Sequence, residues 1–171
     1  RQRQMCIRDR SIISFLACSK KGIFWSSCSP DFGTQGVVDR FKQIEPSILI
    51  TCDYYFYNGK KISILEKIED ILKKIPSIKK TLVFAYNKKE EMNIQNYINF
   101  DEVLDQTVAD ESFERFEFNH PIYILFSSGT TGKPKCITHG AGNVLIEHNK
   151  EFMLHCDIRD NEKIFYYTTT G

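Results

Sequence analysis

The chain has 171 residues, which is enough to bury one hydrophobic core, so a single domain is expected. Hydrophobic residues make up 42% and charged residues 26%, as in ordinary soluble globular proteins, and no apolar stretch approaches the roughly 20 residues that span a bilayer. The net charge is only +1, so no overall field attracts nucleic acid or an anionic membrane.

Residues 1–10 differ in composition from the rest of the chain. Four arginines lie among them, whereas only three occur later and lysine is the common base elsewhere. We interpret this segment as a non-native or artefactual extension and leave it out of the fold prediction. A short basic arm for nucleic acid is the alternative.

From Ser11 onward, helical and strand-like apolar patterns alternate. A helix is predicted to end at Gly22, followed by a strand at 23–25 and a turn-rich segment at 26–33. A second helix is predicted to stop before Pro46. The apolar run 48–52 is typical of a buried strand in a parallel sheet.

An aromatic run closed by the turn pair Asn58-Gly59 precedes a predicted amphipathic helix at 62–75. Acidic residues interrupt the lysines on its polar face, so we favour a solvated face over a membrane-surface helix. Residues 87–120 are interpreted as a surface excursion with short elements before the sheet resumes at Ile122. The other predicted elements are strands at 81–86, 122–126, 136–140 and 164–167 and a helix at 141–155.

This alternation predicts an α/β fold, layered, with a mainly parallel sheet and helices on both faces. The six cysteines stand singly, without a C-x-x-C pair, and are predicted to be free thiols in a reducing compartment, the cytoplasm. They are Cys6, Cys18, Cys28, Cys52, Cys136 and Cys156.

One helix face could carry metal ligands. His148, Glu151 and His155 would lie together on the helix 141–155, at spacings of three and four residues. The pattern is not H-E-x-x-H, and no second ligand helix is evident. We favour a solvated face with an ion pair and assign no metal ligand.

The strongest functional signal is the string S-S-G-T-T-G-K-P-K at residues 127–135, after the apolar run Ile122 to Phe126. Glycines let backbone N–H groups approach an anion, hydroxyls add donors, and lysines neutralise charge, so the loop suits polyphosphate. It is not the P-loop G-x-x-x-x-G-K-[ST], because Ser127 replaces the first glycine and Pro134 replaces the Mg²⁺-binding hydroxyl and resists the helix. A turn that binds nothing is the alternative.

The string, followed by a short strand ending in His139-Gly140, resembles the signature phosphate loop of the adenylate-forming enzymes. This family includes acyl-CoA synthetases, peptide-synthetase adenylation domains and luciferases. The resemblance implies that the loop binds ATP phosphates through Ser127, Ser128, Gly129, Thr130, Thr131, Gly132, Lys133 and Lys135, with Mg²⁺ bridging phosphate oxygens.

Further strings narrow the resemblance to one branch of that family. W-S-S-C-S-P-D-F-G at 25–33, the stretches 40–41, 43–46 and 55–60, and F-Y-Y-T-T-T-G at 165–171 are similar to acetoacetyl-CoA synthetases. The resemblance implies adenylation of acetoacetate by ATP, with release of pyrophosphate, and transfer of the acyl group to CoA. The alternatives are an acetyl-CoA synthetase-like short-chain ligase and a non-catalytic nucleotide- or metal-binding module.

The same resemblance implies roles for two other places. Gly59 and Lys60 are expected where CoA docks, although Tyr57 and Asn58 stand where acetyl-CoA synthetases tend to carry Arg-Gly. Thr169, Thr170 and Gly171 are expected at the approach to the acyl pocket.

The family's catalytic lysine and small C-terminal domain are expected downstream of residue 171. We therefore interpret residues 11–171 as an incomplete part of the large N-terminal AMP-binding domain, with no catalytic residue of its own. The isolated chain is expected not to adenylate acetoacetate and not to fold as a fully stable unit.

Overall fold

The computed structural model describes residues 2–85, 97–106, 112–127 and 132–165. Its helices are α1 (Gln2–Lys20), α2 (Thr34–Phe41), α3 (Leu65–Lys74), α4 (Phe100–Gln106) and α5 (Ala141–Lys150), the last continued by a π-helical segment (Glu151–His155). Its strands are β1 (Ile48–Cys52), β2 (Tyr54–Tyr57), β3 (Lys60–Ser63), β4 (Lys80–Phe84), β5 (Tyr97–Asn99), β6 (Pro121–Ser127) and β7 (Lys135–Gly140).

A three-stranded parallel sheet in the order β1-β4-β5 organises the first two-thirds of the chain. Ile48 pairs with Lys80 and Cys52 with Phe84, so the apolar runs predicted as buried strands lie side by side. The connection between β1 and β4 contains α3, as parallel strands require a long crossover. The predicted α/β fold with a parallel sheet is confirmed.

The hydrophobic core lies where α2 and α3 pack with the sheet. Its members share nearly complete burial, and Ile68 (1% exposed) and Val83 (0%) are among the most enclosed. Apolar residues three and four apart on α3 lie on one face of the helix, which explains why that face is buried. The cluster comprises Val37, Val38, Phe41, Leu49, Cys52, Ile64, Ile68, Ile71, Ile75, Ile78, Val83, Phe84 and Phe100.

The helix predicted at 62–75 begins later than expected. Ile62 lies in β3 and pairs with Tyr55 of β2, so α3 starts only at Leu65. Asn58 (φ 47°) and Gly59 (φ 76°) form the two-residue turn of this hairpin. Asn-Gly adopts positive φ at low cost, which favours such a turn between antiparallel strands. Ile62 was assigned to the helix because it fits the helical spacing, but its pairing across the hairpin places it in a strand.

The polar face of α3 is exposed, as predicted, except at Lys67, which is half-buried. The Lys67 ammonium donates hydrogen bonds to the carbonyl oxygens of Pro30 (2.9 Å) and Phe32 (2.8 Å). This side chain therefore attaches the turn-rich segment 26–33 to α3.

The stretch 87–120 contributes to the sheet, which the prediction of a surface excursion missed. Its strand β5 pairs in parallel with β4, and α4 follows with Phe100 buried. The Arg10 guanidinium of α1 donates to the Asp101 carboxylate (2.8 Å) and lies 4.9 Å from the centre of the Phe84 ring. The interpretation of residues 1–10 as non-native stays a prediction.

The sheet does not resume at Ile122, because β6 pairs antiparallel with β7 in a separate two-stranded sheet. β6 is half-buried, and Leu125 is 44% exposed. The strand predicted at 23–25 is reduced to one parallel bridge, between Trp25 and Tyr123. Of the strand predicted at 164–167, residues 164 and 165 are irregular and the rest lies outside the described residues.

The helix predicted at 141–155 is present, with its last turn in π-helical form. Lys150 forms ion pairs with Glu147 and Glu151, both at 2.9 Å. These hydrogen bonds lower the pKa of Glu151 and raise the pKa of Lys150. In the described ranges, no helix is both long and apolar enough to cross a membrane.

Candidate phosphate-binding site

The predicted phosphate loop connects β6 to β7. Ser127, the last residue of β6, pairs with Lys135, the first residue of β7, and this pair closes the loop. The structure describes four of the eight predicted phosphate-binding residues, namely Ser127, Gly132, Lys133 and Lys135. The other four, Ser128, Gly129, Thr130 and Thr131, lie outside the described residues.

Gly132 has a backbone conformation that requires glycine. Its φ of +126° lies in a region that residues with a side chain rarely adopt, although no atom lies within 4 Å of the position that a Cβ would take. The requirement is therefore conformational and not a lack of space. The loop turns here immediately before Lys133.

Lys133 and Lys135 lie on either side of Pro134, and both are exposed. Neither ammonium is paired with a carboxylate in the part of the chain that the structure describes. Two unneutralised cations two residues apart, next to a glycine with positive φ, favour binding of a polyvalent anion.

The first end of the loop is held through β6. Along its other edge, Ile124 donates its N–H to the Trp25 carbonyl (2.8 Å), and the Ser26 hydroxyl donates to the Ile124 carbonyl (2.8 Å). Phe126, next to Ser127, packs against the hydrophobic core. The string at 25–33 and the loop at 127–135 are thus joined through one strand, a link that the sequence pattern did not reveal.

The second end of the loop is held by Gln43, which the sequence analysis did not assign to the phosphate site. Its side-chain amide donates to the Pro134 carbonyl (2.9 Å) and to the Asp39 carbonyl (2.6 Å). Gln43 and Pro134 are 91 residues apart, and no sequence signal connects them.

The turn-rich segment 26–33 is anchored by side chains from α2 and α3. Lys67 binds the two carbonyls described above, and the Arg40 guanidinium lies 4.6 Å from the centre of the Phe32 ring. Gly59 and Lys60 lie in the exposed turn and first position of the β2–β3 hairpin. Their CoA role stays a prediction, and Thr169, Thr170 and Gly171 lie outside the described residues.

Four of the cysteines differ in how far their thiols are buried. It raises the pKa of Cys28 to about 11 and that of Cys52 to about 12, whereas Cys136 and Cys156 are exposed. We expect a thiol-reactive dye at pH 8 to label Cys136 and Cys156 first, because the thiolate is the nucleophile. Labelling of Cys28 should speed up with each pH step until about pH 11. Equal rates for all four thiols, measured by peptide mass spectrometry, would contradict this.

Comparison with known proteins supplies the family. A family model described as AMP-binding enzyme matches residues 8–169.

The chain belongs to the AMP-binding enzyme family.

Curated and solved relatives agree with this membership. An acetoacetyl-coenzyme A synthetase of Rhizobium meliloti (strain 1021) is 44% identical over 165 residues, covering 94% of this chain and 25% of the relative. A malonamoyl-CoA synthetase of Penicillium aethiopicum is 34% identical, covering 94% and 24%. The solved acetoacetyl-CoA synthetase from Streptomyces lividans superposes with a TM-score of 0.86 at 35% identity, covering 95% and 25%. The chain therefore spans about a quarter of the length of these AMP-binding relatives.

Proposed function

We propose that this chain supplies the triphosphate-binding loop of an AMP-forming acid–thiol ligase that acts on acetoacetate. The observation that carries the proposal is the pair of exposed lysines, 133 and 135, which no carboxylate of the described residues neutralises, in a loop closed by the pairing of Ser127 with Lys135. Family membership and the names of the relatives support the reaction class.

The reaction would proceed in two displacements. An acetoacetate oxygen attacks the α-phosphorus of ATP and pyrophosphate leaves; the CoA thiol then attacks the acyl carbon and AMP leaves. In the first displacement the β- and γ-phosphates must be held in line while negative charge builds on the leaving oxygen. Lys133 and Lys135 would neutralise that charge, and N–H groups and hydroxyls from the loop would orient the phosphates.

Magnesium ordinarily accompanies ATP in such reactions and prefers oxygen ligands. In the described ranges no three His, Cys, Asp or Glu side chains are grouped to hold a metal ion. The contribution that we propose for the described residues is therefore to binding the phosphates.

The acyl substrate is the part of the proposal that most needs a direct test. Relatives at 44% and 35% identity are named acetoacetyl-CoA synthetases, whereas one at 34% is named a malonamoyl-CoA synthetase. A chimera would carry this chain in place of the matching quarter of the Streptomyces lividans enzyme. We expect its ATP–pyrophosphate exchange to depend on acetoacetate more strongly than on acetate or malonamate.

The variant Lys133→Ala/Lys135→Ala in the same chimera provides the internal control, because it should lose the exchange while circular dichroism shows an unchanged fold. A folded chimera without exchange, beside an active parent enzyme, would refute the proposed function. Binding of tripolyphosphate without exchange would instead favour the non-catalytic nucleotide-binding module.

The isolated chain is expected not to catalyse acetoacetate-dependent ATP–pyrophosphate exchange. Five large apolar side chains on α5 and the π-helical segment are exposed, which favours self-association. They are Leu145, Ile146, Phe152, Met153 and Leu154. Size-exclusion chromatography with light scattering should show concentration-dependent association, and detectable exchange by the isolated chain would contradict the expectation.

A further inference from the structure

We propose that Gln43 is a positioning residue for the phosphate loop, holding Pro134 so that Lys133 and Lys135 point towards the bound triphosphate. The inference rests on the proposed function. It adds a residue outside the loop, brought to it by the tertiary structure.

The side chain of Gln43 is itself held in place. Gln43 lies in the turn directly after α2, where its backbone N–H donates to the Arg40 carbonyl (3.1 Å). One amide hydrogen of its side chain is directed at the Asp39 carbonyl (2.6 Å), which leaves the second for Pro134 (2.9 Å). The donor that reaches the loop is therefore oriented before any ligand binds.

The element that carries Gln43 is rigidly attached to the core. Val37, Val38 and Phe41 of α2 are all buried in the hydrophobic cluster. A close-packed interior resists displacement, so the turn after α2 is a fixed reference point for the loop.

The hydrogen bond from Gln43 strongly restricts the backbone because its acceptor is the carbonyl of a proline, Pro134. The proline ring restricts φ of residue 134 to about −65°, so ψ is its one free backbone angle. A hydrogen bond to the Pro134 carbonyl fixes the plane of the following peptide, and with it ψ. The direction in which the chain leaves Pro134 towards Lys135 is then set.

The arrangement complements the support at the other end of the loop. Ser127 is positioned by the pairing of β6 with Trp25 and by the packing of Phe126, whereas the residues before β7 are held by Gln43. Loss of the Gln43 bond should free one arm of the loop and leave the other arm in place. Triphosphate affinity should then fall without loss of the fold.

The test compares Gln43→Ala with Gln35→Ala in the full chain. Gln35 is a matched control, because it lies in α2, the helix that precedes Gln43, and its amide donates within that helix to the Asp39 carboxylate (2.7 Å). Isothermal titration with inorganic tripolyphosphate should show affinity about threefold to tenfold weaker for Gln43→Ala and unchanged for Gln35→Ala. Gln43→Glu, which keeps the size but cannot donate from its carboxylate, should lose at least as much affinity as Gln43→Ala, because its negative charge also repels the triphosphate.

Amide hydrogen exchange gives a second readout that needs no ligand. Exchange at Lys133, Lys135 and Cys136 should be faster in Gln43→Ala than in Gln35→Ala, while exchange in β1 and β4 is the same in both. Equal affinities in the two variants, or equal exchange at these amides, would overturn the positioning role. If the unmodified chain does not bind tripolyphosphate, the proposed function fails, and the exchange comparison alone decides the role of Gln43.

Discussion

Replacing Lys133 and Lys135 together by alanine should weaken the binding of tripolyphosphate to this chain by roughly 10- to 100-fold. A hydrogen bond from a charged group contributes about 1.5–3 kcal/mol, and each 1.4 kcal/mol changes affinity about tenfold. The two ammonium groups are exposed, so salt partly screens their charge. The combined loss of binding free energy is therefore expected to stay near that of one or two such hydrogen bonds. Isothermal titration at low ionic strength measures the difference directly.

Lys73→Ala/Lys74→Ala is the matched control for the loop lysines. Both residues are exposed in the last turn of α3, so this variant removes the same net charge away from the loop. We expect at most a small loss of affinity that disappears as salt is added. Equal losses of affinity in the two double variants would mean that tripolyphosphate binding depends on the net charge of the chain and not on the loop lysines.

Ile68→Ala should destabilise the fold by about 2–5 kcal/mol, the range for removing a large buried aliphatic side chain. Ile68 is 1% exposed and lies on the buried face of α3, in the cluster that also contains Val83. The lost methyl groups leave a cavity that the packed parallel sheet cannot fill. A complete domain is stable by only about 5–15 kcal/mol, and this incomplete one is expected to be less stable, so the change removes a large fraction of its free energy of unfolding.

Urea unfolding followed by circular dichroism measures this loss, with Ile146→Ala as the control. Ile146 is 60% exposed on α5, so the identical substitution there should change stability by no more than about 0.5 kcal/mol. A loss of similar size in both variants would contradict the placement of the core between α2, α3 and the parallel sheet.

Local sequence patterns correctly predicted the elements whose apolar residues follow one regular pattern. The apolar run 48–52 became β1 with the predicted bounds, and the helix predicted at 141–155 spans α5 and its π-helical continuation. Patterns failed where two periods overlap: Ile62 fits the helical spacing of α3, yet the hairpin turn at Asn58-Gly59 pairs it with Tyr55. Pairing across a turn outweighed helical periodicity at that residue.

The stretch 97–106 shows a different limit. Its three-residue strand carries too few residues for a period to be read, so it was taken for part of a surface excursion. Parallel pairing with β4 creates β5, and burial of Phe100 fixes the helix that follows. A short strand of this kind is determined by its neighbour and not by its own residues.

For the phosphate loop, too, some properties follow from the sequence and others only from the tertiary structure. The sequence by itself determined the chemistry, because the residue types in S-S-G-T-T-G-K-P-K specify small donors, permissive backbone and two cations, and their order distinguishes the family. Only the tertiary structure decided how the loop is held, by Trp25 along β6 at one end and by Gln43 at Pro134 at the other. The physical reason is that these contacts join residues more than 90 positions apart, and packing of the core brings them together.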